Sequence, residues 1–340
     1  MRRGARHRVV GLLSVIGITA VVAICTTTGG AQQLVKVRYG LATAPPAITT
    51  VSPYFALDQG YFKAQGLNVE VVPLPGSVTV VRALLSGQVD IALTDPATAF
   101  LAYANGAPIK IISGPIEKGT DVVVATAAIK TVADLRGKNF AISDPGGQQN
   151  NQIKLLASKY GVNPNDIQFL PIGGPVPRSQ ALLLGRVDAT SLTIAVLKPM
   201  LDAVDQGKVH VIASMATEFP DLPTSYDLTT DQNVKARAQV LARLVLADIH
   251  GWRWAVQNPD AASQVVMKYV PGLDPSVVAH GQREISMAYG INGGVTVQSV
   301  QGAQDLLVKL GVLRATVEVN QVLAPQFISL AMGSLGYAHR

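Results

Sequence analysis

Cysteine is nearly absent from this 340-residue chain: the single one is Cys25, and it lies inside an apolar run near the N-terminus. No intrachain disulfide can form, and thiol chemistry has no residue beyond position 25. Charge is also sparse, at 15% Asp, Glu, Lys and Arg, while hydrophobic residues make up 48%. That balance excludes a disordered polyelectrolyte and supplies enough apolar surface for substantial cores. The five histidines, His7, His210, His250, His280 and His339, show no metal-ligand spacing with one another or with acidic residues. No Gly-x-Ser-x-Gly elbow occurs, and Gly146-Gly147 lacks the Lys-Ser/Thr ending of a phosphate loop. The sequence therefore predicts no enzyme, no cofactor and no metal.

Basic charge is concentrated at the start. Arg2, Arg3, Arg6 and Arg8 precede the apolar run 9–25, and small or polar residues lead to Gly29-Gly30-Ala31. This is the order of a secretory signal peptide, read as residues 1–31 with cleavage after Ala31. An uncleaved membrane anchor is the alternative, since a 17-residue run lies at the short edge of a bilayer span. Ile24 before Cys25 does not match a lipidation site, where Gly, Ala or Ser usually stands. Cleavage removes four of the six net positive charges, and the rest carries no electrostatic footprint for nucleic acid.

What is present is a repeat. Residues 73–90 reappear, half identical, at 171–188: Pro73 with Pro171, Gly76 with Gly174, Val78 with Val176, Ala83-Leu84-Leu85 with Ala181-Leu182-Leu183, and Gly87, Val89 and Asp90 with Gly185, Val187 and Asp188. Each copy reads as a strand end, a Pro/Gly turn, a helix stopped near Gly and a second strand. Strand patterns at 35–39, 69–73, 89–93, 109–113 and 122–125, then at 139–142, 167–170, 187–189 and 209–213, alternate with helical ones. From about residue 234 the pattern is helical. The expected fold class is α/β: two similar three-layer α/β lobes joined by a two-segment hinge, with a ligand cleft between them. Lobe 1 is expected over 34–120 plus 217–340 and lobe 2 over 121–216. The hinge segments are expected at 118–121 and 216–224, where Gly and Pro interrupt the pattern.

In open α/β sheets ligands bind beyond the carboxyl ends of the strands. The residues there are Thr43, Ala44 and Pro45; Gly76 and Ser77; Thr94 and Asp95; Ser143, Gly146, Gly147 and Gln148; Gly174; and Ser191 and Thr193. Small hydroxyls and glycines at helix starts leave backbone N–H groups open to an acceptor or anion, although each is equally an ordinary cap. A helix terminus supplies roughly 0.3–1 kcal/mol, whereas micromolar binding needs about 8 kcal/mol. Further contacts are needed, and Tyr54, Gln148, Arg178 and Tyr226 are the candidates. Arg178, at the start of the second-copy helix, can pair with an anion or be a solvated surface residue. Asp90 and Asp188 read as strand-start residues, and Trp252 and Trp254 as packing.

The run Tyr54-Phe55-Ala56-Leu57-Asp58-Gln59-Gly60-Tyr61-Phe62, continuing through Gly66-Leu67-Asn68-Val69-Glu70-Val71, resembles the nitrate, sulfonate and taurine group of substrate-binding proteins of ABC importers. Ala83-Leu84-Leu85-Ser86-Gly87-Gln88-Val89-Asp90-Ile91 is similar to a second landmark of that group, and Val132-Ala133-Asp134-Leu135-Arg136-Gly137-Lys138 to its entry into the second lobe. The resemblance implies a periplasmic binding protein of the type II fold, a monomer. It would trap a small organic anion or polar small molecule between closing lobes and deliver it to a membrane permease. Related scaffolds bind thiamine-pyrimidine precursors or are enzymes of thiamine-pyrimidine synthesis, so such a ligand or activity is the alternative. Those enzymes carry a Cys-rich motif that is absent here. A sensor domain is the third reading, but nothing resembles a DNA-binding helix pair.

Overall fold

The computed structural model describes residue 1, residues 33–193, 195 and 197–337. The apolar run at 9–25 and the cleavage point after Ala31 lie outside the described residues. Among the described residues no helix is long and apolar enough to cross a membrane.

The chain from Leu34 onward forms one compact unit built on two five-stranded sheets. The first holds β1 (Val35–Leu41), β2 (Leu67–Pro73), β3 (Ile91–Thr94), β4 (Ile109–Ile116) and, from far along the chain, β10 (Ser225–Thr230), in the order β2-β1-β3-β10-β4. The second holds β5 (Val122–Thr126), β6 (Asn139–Ile142), β7 (Gln168–Pro171), β8 (Ala189–Leu192) and β9 (Val209–Ser214), in the order β7-β6-β8-β5-β9. In each sheet the three strands nearest one edge are parallel and the other two pairings are antiparallel. The sheets are thus topological copies, with β1 matching β6, β2 matching β7, β3 matching β8 and β10 matching β5. The chain passes between them through residues 117–121 and 215–224.

The repeated segment is the strand–helix–strand unit of each copy. Pro73 ends β2 and Pro171 ends β7, the helices are Ser77–Leu85 and Pro175–Leu183, and Asp90 and Asp188 each stand just before the next strand. Both aspartates do the same work. The Asp90 carboxylate accepts the Arg38 N–H at 2.8 Å, and the Asp188 carboxylate accepts the Asn139 N–H at 2.8 Å. Each pins the middle strand of its sheet to the one beside it. Asp90 also holds Arg38 and Arg237.

The strand Ser225–Thr230 is not expected from the pattern. Its sequence, Ser-Tyr-Asp-Leu-Thr-Thr, alternates weakly and is short. It becomes a strand because β3 and β4 leave a gap that its backbone fills by antiparallel pairing to both. The strand expected at 187–189 begins later, at Ala189, because Asp188 is committed to its clamp. The C-terminal helices pack on the first lobe: Ala238–Gln257 lies against Ser52–Asp58 and Gln326–Ser334. Trp252 is wholly buried there and Trp254 tilts against Phe55 at 6.3 Å.

Candidate functional site

A cleft opens between the strand ends of the two sheets. One wall is the loop after β1, with Thr43, Pro45, Pro46 and Ala47. The other is the start of the helix Pro175–Leu183, with Gly174, Val176 and Arg178. Asp121, Gln148, Gln149 and Thr193 form its polar floor, and Val270, Pro271 and Leu273 close it from the C-terminal part of the chain. Most of the lining is apolar, and proline supplies five of its positions. Such a surface excludes water from whatever charged group enters.

Arg178 carries the electrostatics. Its side chain is 3% exposed, and neither Nε nor Nη1 has a hydrogen-bond partner among the described residues. Burial pulls the guanidinium down to about 10, with Asp121 and Asp144 nearby opposing that fall. It therefore stays protonated at neutral pH. Burying a charge without a partner costs several kcal/mol, so this cation is held ready for an anion.

The floor is a buried hydrogen-bond network. The Asp121 carboxylate accepts the Thr193 hydroxyl at 2.5 Å and the side-chain amides of Gln152 at 3.1 Å and Gln148 at 3.3 Å. The Ser191 hydroxyl donates to Gln152 Oε1 at 2.7 Å. This network joins the first connection between the sheets to the helix Gln148–Lys159 and to the end of β8.

Thr43, Pro45, Gln148, Gly174, Arg178 and Thr193 are the sequence candidates that the fold brings to the cleft lining. The Thr43 hydroxyl is engaged within its own loop, sharing a hydrogen with Thr50 at 2.7 Å and accepting the Ala47 N–H at 3.1 Å. Ala44 borders the cleft, its carbonyl 3.9 Å from where a Cβ on Gly174 would stand. Ser191 reaches the cleft only through Gln152.

A second group meets where the lobes touch, away from the cleft lining. Asp95 caps the helix Pro96–Ala104 through the Thr98 N–H at 3.0 Å, and burial pushes its carboxyl up against hydrogen bonds from Thr98, Ser77 and Asn151. Thr98 donates to the Gly146 carbonyl at 3.3 Å, and Asn151 donates to the same carbonyl at 2.9 Å. Ser143 donates to Asp144, whose carboxylate accepts the Val78 N–H at 3.2 Å across the lobes. Gly76 and Gly147 flank that carboxylate: a Cβ on either would lie within 2.4 and 2.0 Å of Asp144 atoms.

Three candidates are placed elsewhere. Tyr226 sits in the middle of the first sheet, fully buried and edge-on to Phe100 at 5.9 Å, because β10 is a sheet strand and not a cleft loop. Thr94 is paired with it in β3 and is equally enclosed. Tyr54 stacks on Tyr269 at 4.2 Å, behind the segment that supplies Val270 and Pro271, and burial raises its hydroxyl.

Sequence reading missed Asp121, Gln149, Asp144, Gln152 and the stretch 270–273. The run Gln148-Gln149-Asn150-Asn151-Gln152 was the available signal: five adjacent amides at a helix start have no reason to be buried, yet four of them are under 9% exposed. No signal marked 270–273, which reaches the cleft only through the packing of the C-terminal helices. Among the described residues no three His, Cys, Asp or Glu side chains gather as a metal site.

Known proteins share this architecture. A family model described as NMT1/THI5 like matches residues 49–262. The formylaminopyrimidine-binding protein of Halalkalibacterium halodurans is 24% identical over 264 residues, covering 75% of this chain and 78% of that protein. Among solved structures, the alkanesulfonate-binding protein SsuA of Xanthomonas axonopodis pv. citri, bound to MOPS, superposes with a TM-score of 0.69 at 19% identity, covering 86% of this chain and 99% of that one. The periplasmic nitrate-binding protein NrtA of Synechocystis PCC 6803 gives 0.72 at 15% identity, covering 90% of each chain. The fold is that of the periplasmic binding proteins.

Proposed function

The chain belongs to the NMT1/THI5-like family, and from that premise we propose that it is the solute-binding component of an ABC importer. It works outside the cytoplasm, captures a small organic anion between its two lobes, and hands it to a membrane permease without chemical change. The observation that carries this reading is Arg178: a buried, protonated guanidinium with unmet donors in a proline-lined cleft. A sulfonate or carboxylate supplies the missing acceptors, and its organic body meets Pro45, Pro177, Pro271 and Leu273. The alkanesulfonate-binding and nitrate-binding neighbours support an anionic solute. Lobe closure about residues 117–121 and 215–224 accounts for how the solute is enclosed.

The test is a thermal-shift and calorimetric panel of alkyl and aryl sulfonates, carboxylates, taurine, nitrate and aminopyrimidines on the mature protein. One or more anions should bind, and Arg178→Ala should weaken that binding by about 1.5–3 kcal/mol, the worth of a charged hydrogen bond. No shift with any anion, or unchanged affinity in the variant, would sink the reading.

One observation favours a second solute class. Asp121, Gln148 and Gln149 present a carboxylate and two amides on the same floor, a set that suits the edge of an aminopyrimidine. The formylaminopyrimidine-binding relative carries such a ligand in its name. Binding of an aminopyrimidine with affinity lost in Asp121→Asn and kept in Arg178→Ala would select it.

A further inference from the structure

The internal repeat relates two helix N-termini that face the opposite lobe, and they are furnished differently. Leu41 pairs with Pro73 at the end of β1, and Ile142 with Pro171 at the end of β6. Two residues on, Thr43 in the first copy therefore corresponds to Asp144 in the second. Asp144 reaches across to the other lobe's helix, whereas Thr43 only lines the cleft opposite its counterpart. The helix Ser77–Leu85 has the Asp144 carboxylate at its N-terminus, accepting the Val78 N–H, with Gly76 at φ +109° leaving room for it. The helix Pro175–Leu183 has Thr43 opposite, a short side chain occupied within its own loop.

The two seats also differ in their donors. In the first copy Ser77 and Thr79 keep their backbone N–H groups, and Val80 brings no charge. In the second, Pro175 and Pro177 remove two of the first three N–H donors, and Arg178 replaces Val80. Where the first copy offers backbone donors the second offers a guanidinium, whose Nε and Nη1 have no partner among the described residues.

We propose that Asp144 is a tethered anion, filling the first of two repeat-related anion seats when the lobes meet and leaving the second, at Arg178, to the charged end of the solute. Asp144 thereby adds a carboxylate to the Thr98–Gly146 and Asn151–Asp95 contacts that hold the lobes together on that side, and leaves the cleft a single anionic group to take. The assignment of the second seat rests on the solute-binding reading above; that of the first rests on the Asp144 contacts alone.

Acetate, which carries the same carboxylate untethered, is the probe. Melting temperatures of the wild type, Asp144→Ala, Arg178→Gln and the double variant are compared in sodium acetate and in sodium chloride at equal ionic strength. In chloride, Asp144→Ala should melt about 0.5–2 °C below the wild type, the shift for a lost helix-terminal charge in a chain of this size. Acetate should restore part of that loss, and the restoration should persist in the double variant, because the vacated seat is at Ser77–Leu85. Asp144→Asn, which keeps an acceptor of the same shape without the charge, should fall between and keeps the comparison readable if Asp144→Ala does not fold. Equal melting of Asp144→Ala and wild type, or an acetate increment no larger in Asp144→Ala than in the wild type, overturns the tethered anion. Loss of the wild-type acetate increment in Arg178→Gln supports the second seat, and its survival removes Arg178 as that seat while leaving the first untouched.

Discussion

At the scale of single residues, the same physics that leaves Arg178 without a partner recurs in the core of the first lobe with the opposite sign of charge. Asp227 and Asp248 are each 1% exposed. Asp227 accepts the hydroxyls of Tyr39 at 2.6 Å and Ser113 at 2.7 Å, whereas neither Asp248 oxygen has a partner among the described residues. Burial drives both carboxyls up, Asp227 to about 6 and Asp248 well above the carboxylate range with the Asp227 charge adding to the rise. Folding then takes up protons, because the folded carboxyls hold them where the unfolded ones have released them. Stability is full below the unfolded carboxylate range, near 3.8, and is lost as pH rises through about 6 for Asp227 and further for Asp248. Asp248→Asn removes the group that has no compensating hydrogen bond. It should leave the melting temperature near wild type only below about pH 3.8 and raise it progressively above wild type from there to pH 9, as read by calorimetry across that range. A wild-type profile that is flat between those limits would contradict the buried pair.

At the scale of elements, the helix Ala238–Gln257 packs on the first lobe with one especially close crossing. Gly251 faces the helix Ser52–Asp58 so closely that a Cβ there would stand 2.6 Å from the Ala56 nitrogen. Replacing a helical glycine by alanine gains about 1 kcal/mol of helix propensity. Overpacking a tight contact costs about 1–3 kcal/mol, and backbone atoms cannot swing aside as a side-chain tip can. The second effect wins, so Gly251→Ala should lower the urea midpoint at unchanged slope. The amphipathic period of this helix was legible in the sequence, since Leu241, Leu244, Val245, Ala247, Trp252 and Ala255 return at helical spacing to one buried face. The strand Ser225–Thr230 was not legible, because its pairing partners lie more than 100 residues earlier and its own six residues carry almost no strand signal. That one strand moved Tyr226 from an expected cleft position into the middle of a sheet.

At the scale of the whole molecule, the inter-lobe hydrogen bonds are few and polar. Among the described residues the side-chain ones run from Thr98 to Gly146, from Asn151 to Asp95 and Thr98, and from Val78 to Asp144. Contacts of this kind contribute about 0.5–1.5 kcal/mol each, which is small enough for a bound solute to shift the balance between open and closed lobes. A compact chain of about 300 residues has a radius of gyration near 19 Å. Small-angle scattering of residues 32–340 without solute should give a larger value and should fall toward that figure at saturation. An identical curve with and without a solute shown to bind would exclude hinge closure.

The sequence by itself determined the two-lobe α/β plan. The repeated Pro-Gly-Val, Ala-Leu-Leu and Gly-Val-Asp positions at 73–90 and 171–188 are local instructions for a turn, a helix stop and a strand start, and local instructions need no distant partner to be read. Gln148 and Thr193 were visible for the same reason, as residues that follow strand ends, and Arg178 as a residue at the start of the second-copy helix. Only the tertiary structure decided which of these residues share a cleft, that Asp144 spans the lobes, that Asp121 gathers Gln148, Gln152 and Thr193, and that residues 270–273 form a wall. Those facts depend on contacts between segments 27 to more than 200 residues apart, where burial and the shortage of water select the partner, and no pattern along the chain records that choice.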